Sequence, residues 1–104
     1  MSTFENVTIS KKANIYFYGK VTSRSLIFAD GSSKTLGIMQ TGLYQFNTQQ
    51  AELMEIISGQ VEVKLHGDNQ WHSYQSGESF NVPADSGFDI HVIELTDYCC
   101  AFIK

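Results

Sequence analysis

The chain lacks several features that would assign it to a class directly. It has only two cysteines, Cys99 and Cys100, and they are adjacent. A disulfide between neighbouring residues strains the backbone, so we expect reduced thiols in a cytoplasmic protein. The chain has no basic run and its formal net charge is −4, which argues against a groove that binds nucleic acid.

Long apolar runs are also missing. No stretch approaches the roughly 18 residues that a membrane-spanning helix needs. The first residues do not place a charged segment before an apolar one, so we expect no secretory signal. Histidine is scarce, and His66, His72 and His91 have neither the spacing of metal ligands nor a partner for a catalytic triad. We therefore expect all three histidines on the surface.

What the chain does contain is a series of short strands. Helical periodicity is absent, and apolar or alternating segments are separated by turn residues at spacings of about 8–12 residues. In 104 residues this pattern predicts one all-β domain, a sandwich or barrel. The polar residues 1–13 are expected to form a weakly ordered arm, and residues 14–104 the barrel. The predicted strands cover residues 15–18, 21–28, 35–39, 43–48, 52–57, 61–65, 71–74, 79–82, 88–92 and 98–103.

Residues 52–65 read as the organising hairpin, with a tight turn at Ser58-Gly59. In its second half, alternation puts Val61, Val63 and Leu65 on one face. In its first half, Glu52 falls on the same face as Met54 and Ile56. An acid in step with core residues is costly unless it has a partner, so Glu52 is the best local indication of a site.

The spacing of a few residues resembles the two sequence motifs of cupins, which are small jelly-roll barrels. Glu52 is followed by Gly59, and Gly77 by Pro83, at the expected distances. Cupins place metal-binding histidines before this glutamate and in the second motif. Here the matching positions hold Gln45 and Asn47, or Phe46 and Thr48, and later Phe88. A transition-metal site needs at least three suitable ligands, so a metal-dependent oxygenase is disfavoured.

A more specific resemblance rests on several separated segments, which are residues 19–21, 34–39, 42–46, 52–59, Trp71, 77–83 and 98–100. The chain is similar to the small bacterial pyrimidine/purine nucleoside phosphorylase family from about residue 14 to its end. That resemblance implies a metal-free cupin that acts as a homodimer and needs no cofactor. It also implies phosphorolysis of purine and pyrimidine nucleosides to the free base and ribose 1-phosphate.

That chemistry suggests a role for particular residues. Glu52 is the candidate catalytic carboxylate, which would bind ribose hydroxyls or face positive charge that develops on the ribose. Lys34 and Arg24 are the candidate phosphate ligands. The alternative for Glu52 is a salt bridge to Lys34 or Arg24, and the alternative for both cations is a solvated surface position. The candidates for substrate binding are Tyr44, Phe46, Thr48, Met54, Phe80, Ser86 and Phe88, with core packing as the alternative for the apolar members.

Two other functions remain open from the sequence. The chain could be a non-catalytic cupin that binds a small ligand, or a metal-independent cupin isomerase that uses Glu52 as a general base.

Residues 98–103 are apolar on both faces, which calls for a second covering layer. A second subunit is the simplest source of that layer.

Overall fold

The computed structural model describes residues 2–104 and is built from antiparallel strands. Its one helical element is the 3₁₀ turn Phe17–Gly19, so the described chain contains no helix that could cross a membrane. This confirms the all-β prediction. The strands are β1 Thr8–Ile9, β2 Asn14–Tyr16, β3 Val21–Ile27, β4 Ser33–Met39, β5 Gly42–Asn47, β6 Ala51–Leu65, β7 His72–Gln75, β8 Ser79–Val82 and β9 Gly87–Ile103.

Two long strands, β6 and β9, form the centre of the fold. They pair with each other over most of their length. The first part of β9 also pairs with β5, and its last part pairs with β4. The first part of β6 pairs with β8, and its later part pairs with β7. Because both long strands are shared by the two halves of the sheet, the inward side chains of all these strands meet in one core.

The prediction of a hairpin at Ser58-Gly59 was wrong. β6 runs straight through this point, and its pairing with β9 shifts register between Ile56 and Val61. Gly59 has a φ of +103°, and a Cβ there would lie 2.5 Å from the Thr96 hydroxyl. The glycine therefore permits a β-bulge and a close approach to β9. The two segments predicted at 88–92 and 98–103 also form one strand, β9, which pairs with β6 on both sides of the bulge.

The predicted alternation was correct on either side of the bulge. Val61 and Val63 are buried, and so are Met54 and Ile56 in the first half. Glu52 shares the face of Met54, as predicted. The strand predicted at 15–18 ends early at Tyr16, since the next two residues take left-handed backbone angles.

Residues 2–13 run along the outer surface of the sheet. β1 pairs with β3, and the Phe4 ring meets Phe28 edge-on at 5.2 Å. Phe4 and Leu36 line a cavity together with Cys99, which is only 3% exposed. Part of the layer that covers the end of β9 is therefore supplied by the same chain.

Candidate active site

A pocket of about 160 Å³ lies on the inner face of the sheet, where β3, β4, β9 and β6 are neighbours. It combines aromatic walls with one carboxylate and several hydroxyl or amide groups. Ligand sites in proteins commonly have this combination of apolar walls and few polar groups. Its lining residues are Tyr16, Ser23, Thr35, Met39, Phe46, Asn47, Glu52, Met54, Phe88, Tyr98, Cys100 and Phe102.

Glu52 lies near the start of β6 and points into this pocket. It pairs with Phe102 of β9, and Cys100 is its diagonal neighbour on the same face. Burial raises the pKa of Glu52, and a hydrogen bond from the Cys100 thiol lowers it in part. Burial and the nearby Glu52 charge raise the pKa of the Cys100 thiol, which stays protonated and donates to the carboxylate. The expected alternative for Glu52, a salt bridge, is not observed among residues 2–104.

Tyr98 brings a hydroxyl into the same pocket from β9. Its register partner on β4 is Gly37, whose register partner on β3 is Ser23. A Cβ on Gly37 would lie 2.9 Å from the Tyr98 ring and 2.1 Å from the Thr22 carbonyl oxygen. The glycine thus lets the ring lie across β4 and reach Ser23. Burial raises the pKa of Tyr98, and a hydrogen bond with Ser23 only partly offsets this, so the phenol is neutral.

Aromatic rings form one wall and the rim of the pocket. Phe46 on β5 and Phe88 on β9 are register partners, and their ring centroids are 5.6 Å apart in a stacked arrangement. Tyr16 and Phe17 meet Phe46 edge-on at 6.0 and 5.4 Å. These rings leave a broad apolar surface of the kind on which a flat heterocycle can stack.

The structure brings together only some of the predicted substrate residues. Phe46, Met54 and Phe88 line the pocket with Glu52. Tyr44 and Phe80 belong to the buried core beside it. Substrate binding by Tyr44 and Phe80 stays a prediction. From the core, these two side chains could affect binding only by supporting the rings that line the pocket.

Thr48 and Ser86 contact each other but do not line the pocket. The Thr48 hydroxyl donates to the Pro83 carbonyl oxygen at 2.7 Å and accepts from the Ser86 backbone N–H at 3.1 Å. These bonds tie the end of β5 to the turn before β9. Both residues therefore help to hold the strands that carry Phe46 and Phe88, and their contact with substrate stays a prediction.

The two predicted phosphate ligands lie on the other face of the β3–β4 hairpin. The Lys34 ammonium sits 5.0 Å from the centroid of the Phe4 ring, and Arg24 donates to the Lys11 carbonyl oxygen at 3.3 Å. Alternation along β4 turns Thr35 inward and Lys34 outward. Within one chain neither cation shares the pocket with Glu52, so phosphate binding by Lys34 or Arg24 would need a separate site.

The residues present do not make a metal site. Within residues 2–104 no three His, Cys, Asp or Glu side chains are grouped so that they could hold an ion. The histidines lie on the surface, where each is within 3.7 Å of a carboxylate oxygen. The partners are Asp89 for His66, Asp68 for His72 and Glu62 for His91.

Sequence reasoning missed most of the polar residues of the pocket. Thr35, Tyr98 and Cys100 all lie in segments that carry the family resemblance, but only Lys34, the neighbour of Thr35, was predicted as a ligand there. Strand alternation was the available signal, because Tyr98 and Cys100 are two residues apart and must share a face. Ser23 gave no signal, since its contact with Tyr98 depends on the pairing of β3, β4 and β9.

Comparison with known proteins identifies relatives of the whole chain. The family model described as pyrimidine/purine nucleoside phosphorylase matches residues 11–102. Proteins of that name from Hydrogenovibrio crunogenus and Sulfurimonas denitrificans are 55% and 56% identical, covering 99% and 100% of this chain and the same shares of their own. A crystal structure of a protein of unknown function from Acinetobacter sp. ADP1 has a TM-score of 0.94 and 39% identity, covering 97% of this chain and 98% of that one.

The fold itself is also found in a more distant protein. A cupin domain from Schizosaccharomyces pombe has a TM-score of 0.64 at 18% identity, with 90% of this chain and 70% of that chain covered. This likeness confirms the predicted cupin architecture. Because the family model matches residues 11–102 and relatives exceed 50% identity, the chain belongs to the pyrimidine/purine nucleoside phosphorylase family.

Proposed function

We propose that this protein cleaves purine and pyrimidine nucleosides with phosphate, releasing the free base and ribose 1-phosphate. The observation that supports this best is the position of Glu52. It is a carboxylate in a largely apolar pocket with aromatic walls, in a chain of this family. The proposal includes both classes of base, because stacking on an aromatic surface does not depend on the hydrogen-bonding edge of the base.

The base would bind at the aromatic rim. Phe46 and Phe88 offer stacked ring surface, and Tyr16 adds a partly exposed ring beside them. Such contacts contribute area and orientation without reading the identity of the base. The ribose would then lie deeper, towards Glu52.

Glu52 would act on the bond that breaks. Phosphorolysis forms a bond between a phosphate oxygen and C1′ and breaks the bond from C1′ to the base nitrogen. The electron pair stays with the base, which also takes up a proton, and hydrogenphosphate brings one proton into the reaction. Glu52 is the carboxylic acid among the described lining residues, and its ionised form would stabilise positive charge on the ribose ring. A raised pKa also suits a group that accepts and returns a proton.

The test is base release from the purified protein. Adenosine, guanosine, inosine, cytidine, uridine and thymidine are each incubated with and without phosphate, and with and without a chelator. We expect release that requires phosphate and survives the chelator, together with formation of the pentose 1-phosphate. Release without phosphate would make the protein a hydrolase, and no release from any nucleoside would refute the proposal in favour of a ligand-binding cupin.

A matched pair of variants tests the role assigned to Glu52. Glu52→Gln keeps the shape of the side chain and removes its charge. Glu55→Gln makes the same change three residues along β6, at an exposed position that also borders the outer cavity. We expect turnover to fall in the first variant and to be retained in the second. Equal activity in both variants would remove Glu52 from the reaction.

We also propose that the protein is a cytoplasmic homodimer. The cysteines are free and buried, which suits a reducing compartment. The outer face of the β3–β4 hairpin carries partly exposed apolar side chains, with Ile15 and Ile38 exposed by 66% and 39% beside Leu36. Sedimentation of the wild type and of Ile38→Glu tests the dimer, because a charge on this face should produce monomers.

A further inference from the structure

The pocket has an unusual charge balance for a phosphate-consuming site. Among its described lining residues there is no lysine, arginine or histidine, while Glu52 brings a negative charge. Two anions side by side repel each other unless a proton lies between them. A phosphate in this pocket would therefore have to be recognised by neutral donors on one side and by an acceptor on the other.

Neutral donors are present opposite Glu52. Thr35 is the register partner of Cys100, and Tyr98 lies two residues before Cys100 on the same face. The strands β4 and β6 flank β9, and Glu52 lies two residues along β6 from the residue opposite Thr35, so the Thr35 and Glu52 backbones are about 12 Å apart. That separation leaves room for one oxyanion with a hydrogen bond on each side.

The Tyr98 hydroxyl is oriented by a short chain of hydrogen bonds. The Asn14 side-chain amide donates to the Ser23 hydroxyl at 3.2 Å, and Ser23 in turn is bonded to Tyr98. A hydroxyl has one proton and two lone pairs, so Ser23 can accept from Asn14 and still donate its own proton to the Tyr98 oxygen. The Tyr98 proton is then the one available to a ligand, and the phenol is held neutral by its buried position.

We propose that this pocket binds phosphate in a protonated form, with Tyr98 and Thr35 donating to its oxygens and its own P–OH donating to Glu52. The inference rests on the proposed phosphorolysis and assigns its second substrate to a subsite without cations. The site would select oxyanions that carry a proton at neutral pH, such as phosphate and arsenate. Sulfate has no proton to offer and would face the Glu52 carboxylate directly.

The selectivity is tested by titration calorimetry with inorganic phosphate, arsenate and sulfate, in the absence and presence of the free base. We expect phosphate and arsenate to bind at least about tenfold more tightly than sulfate, as one hydrogen bond to a charged group allows. Glu52→Gln should lose this preference, because the Gln amide can donate to a fully ionised oxygen. Equal binding of sulfate and phosphate by the wild type, or no phosphate binding in either condition, would overturn the inference.

Variants of the donors provide the second arm. Tyr98→Phe and Thr35→Val remove single hydroxyls with little change of shape, and each should weaken phosphate binding several-fold, whereas Thr35→Ser should restore it. Normal binding in the first two, or loss of binding in Arg24→Gln or Lys34→Gln, would overturn the neutral subsite in favour of a cationic one. If the neutral subsite is overturned but base release still requires phosphate, the proposed function stands without this inference. If no nucleoside is cleaved but the oxyanion preference is found, the function fails and the binding site remains.

Discussion

Replacing Glu52 should produce an enzyme that is more stable and less active. The carboxylate is partly buried among Met54, Phe88 and Phe102, and burial raises its pKa above the ordinary value of 4.5. A carboxyl group with a raised folded-state pKa favours folding when it is protonated and opposes folding when it is ionised. At neutral pH the ionised Glu52 therefore costs stability, and a neutral glutamine does not.

The magnitude follows from what Glu52→Gln changes. Loss of one electrostatic contact made in the transition state typically lowers kcat by about 10²–10³-fold. Removing a partly buried charge that has one thiol partner should stabilise the fold by about 1 kcal/mol, or roughly 4–8 °C in Tm for a domain of this size. Base release at saturating nucleoside and phosphate measures the first quantity, and thermal unfolding measures the second.

The pH dependence of the Tm gain shows whether removal of the Glu52 charge, and not a change in packing, causes it. The stability cost of Glu52 is absent well below pH 4.5, where the carboxyl is protonated in both states, and grows as the pH rises through the unfolded-state and then the folded-state pKa. The Tm advantage of Glu52→Gln should therefore be present at pH 7.5 and shrink on acidification towards pH 4.5. A gain that is independent of pH, or wild-type turnover in the variant, would refute the reasoning.

Three further predictions concern the surroundings of the pocket. Cys100→Ala removes the donor to Glu52 and should lower kcat by about 2–10-fold. Because that hydrogen bond lowers the pKa of Glu52, its loss should also move the acidic limb of the pH–rate profile to higher pH. Cys100→Ser keeps a donor and should resemble the wild type. Gly37→Ala places a Cβ 2.1 Å from the Thr22 carbonyl oxygen and should cost about 1–3 kcal/mol in thermal unfolding, so an unchanged Tm would contradict the packing described. Phe4→Ala removes the ring that meets Phe28 and Lys34, and should speed thiol labelling of Cys99, followed by mass spectrometry, without altering turnover.

The sequence predicted the strands well because their signals are local. Alternation placed Val61 with Val63 in one segment and Glu52 with Met54 in the other, and the structure confirms both pairings. The error at Gly59 has a physical reason, since a left-handed glycine serves a tight turn and a β-bulge equally well. Only the pairing with β9, some 40 residues away, decides between them.

The site was harder to predict because its polar members come from strands that are distant in sequence. Glu52 was identified from one strand, as a polar residue out of place. Tyr98 and Ser23 become partners only when β4 lies between them with a glycine at position 37. Lys34 was predicted as a phosphate ligand because it is a cation in a segment that carries the family resemblance, but a charge on the outer face of its strand cannot act in the pocket.

The central position of β9 has a consequence for how the chain folds. β9 is the last of the nine strands in residues 2–104 to be synthesised, yet it pairs with β4, β5 and β6. Until residues 87–103 are available, β5 has no partner among the described strands and the edges of β4 and β6 stay open. The residues that pair in these contacts are far apart in the sequence, so folding should be slow. Nascent or truncated chains should be prone to aggregate through the open edges of β4 and β6. The pocket, which takes Tyr98, Cys100 and Phe102 from this strand, can form only in the final step.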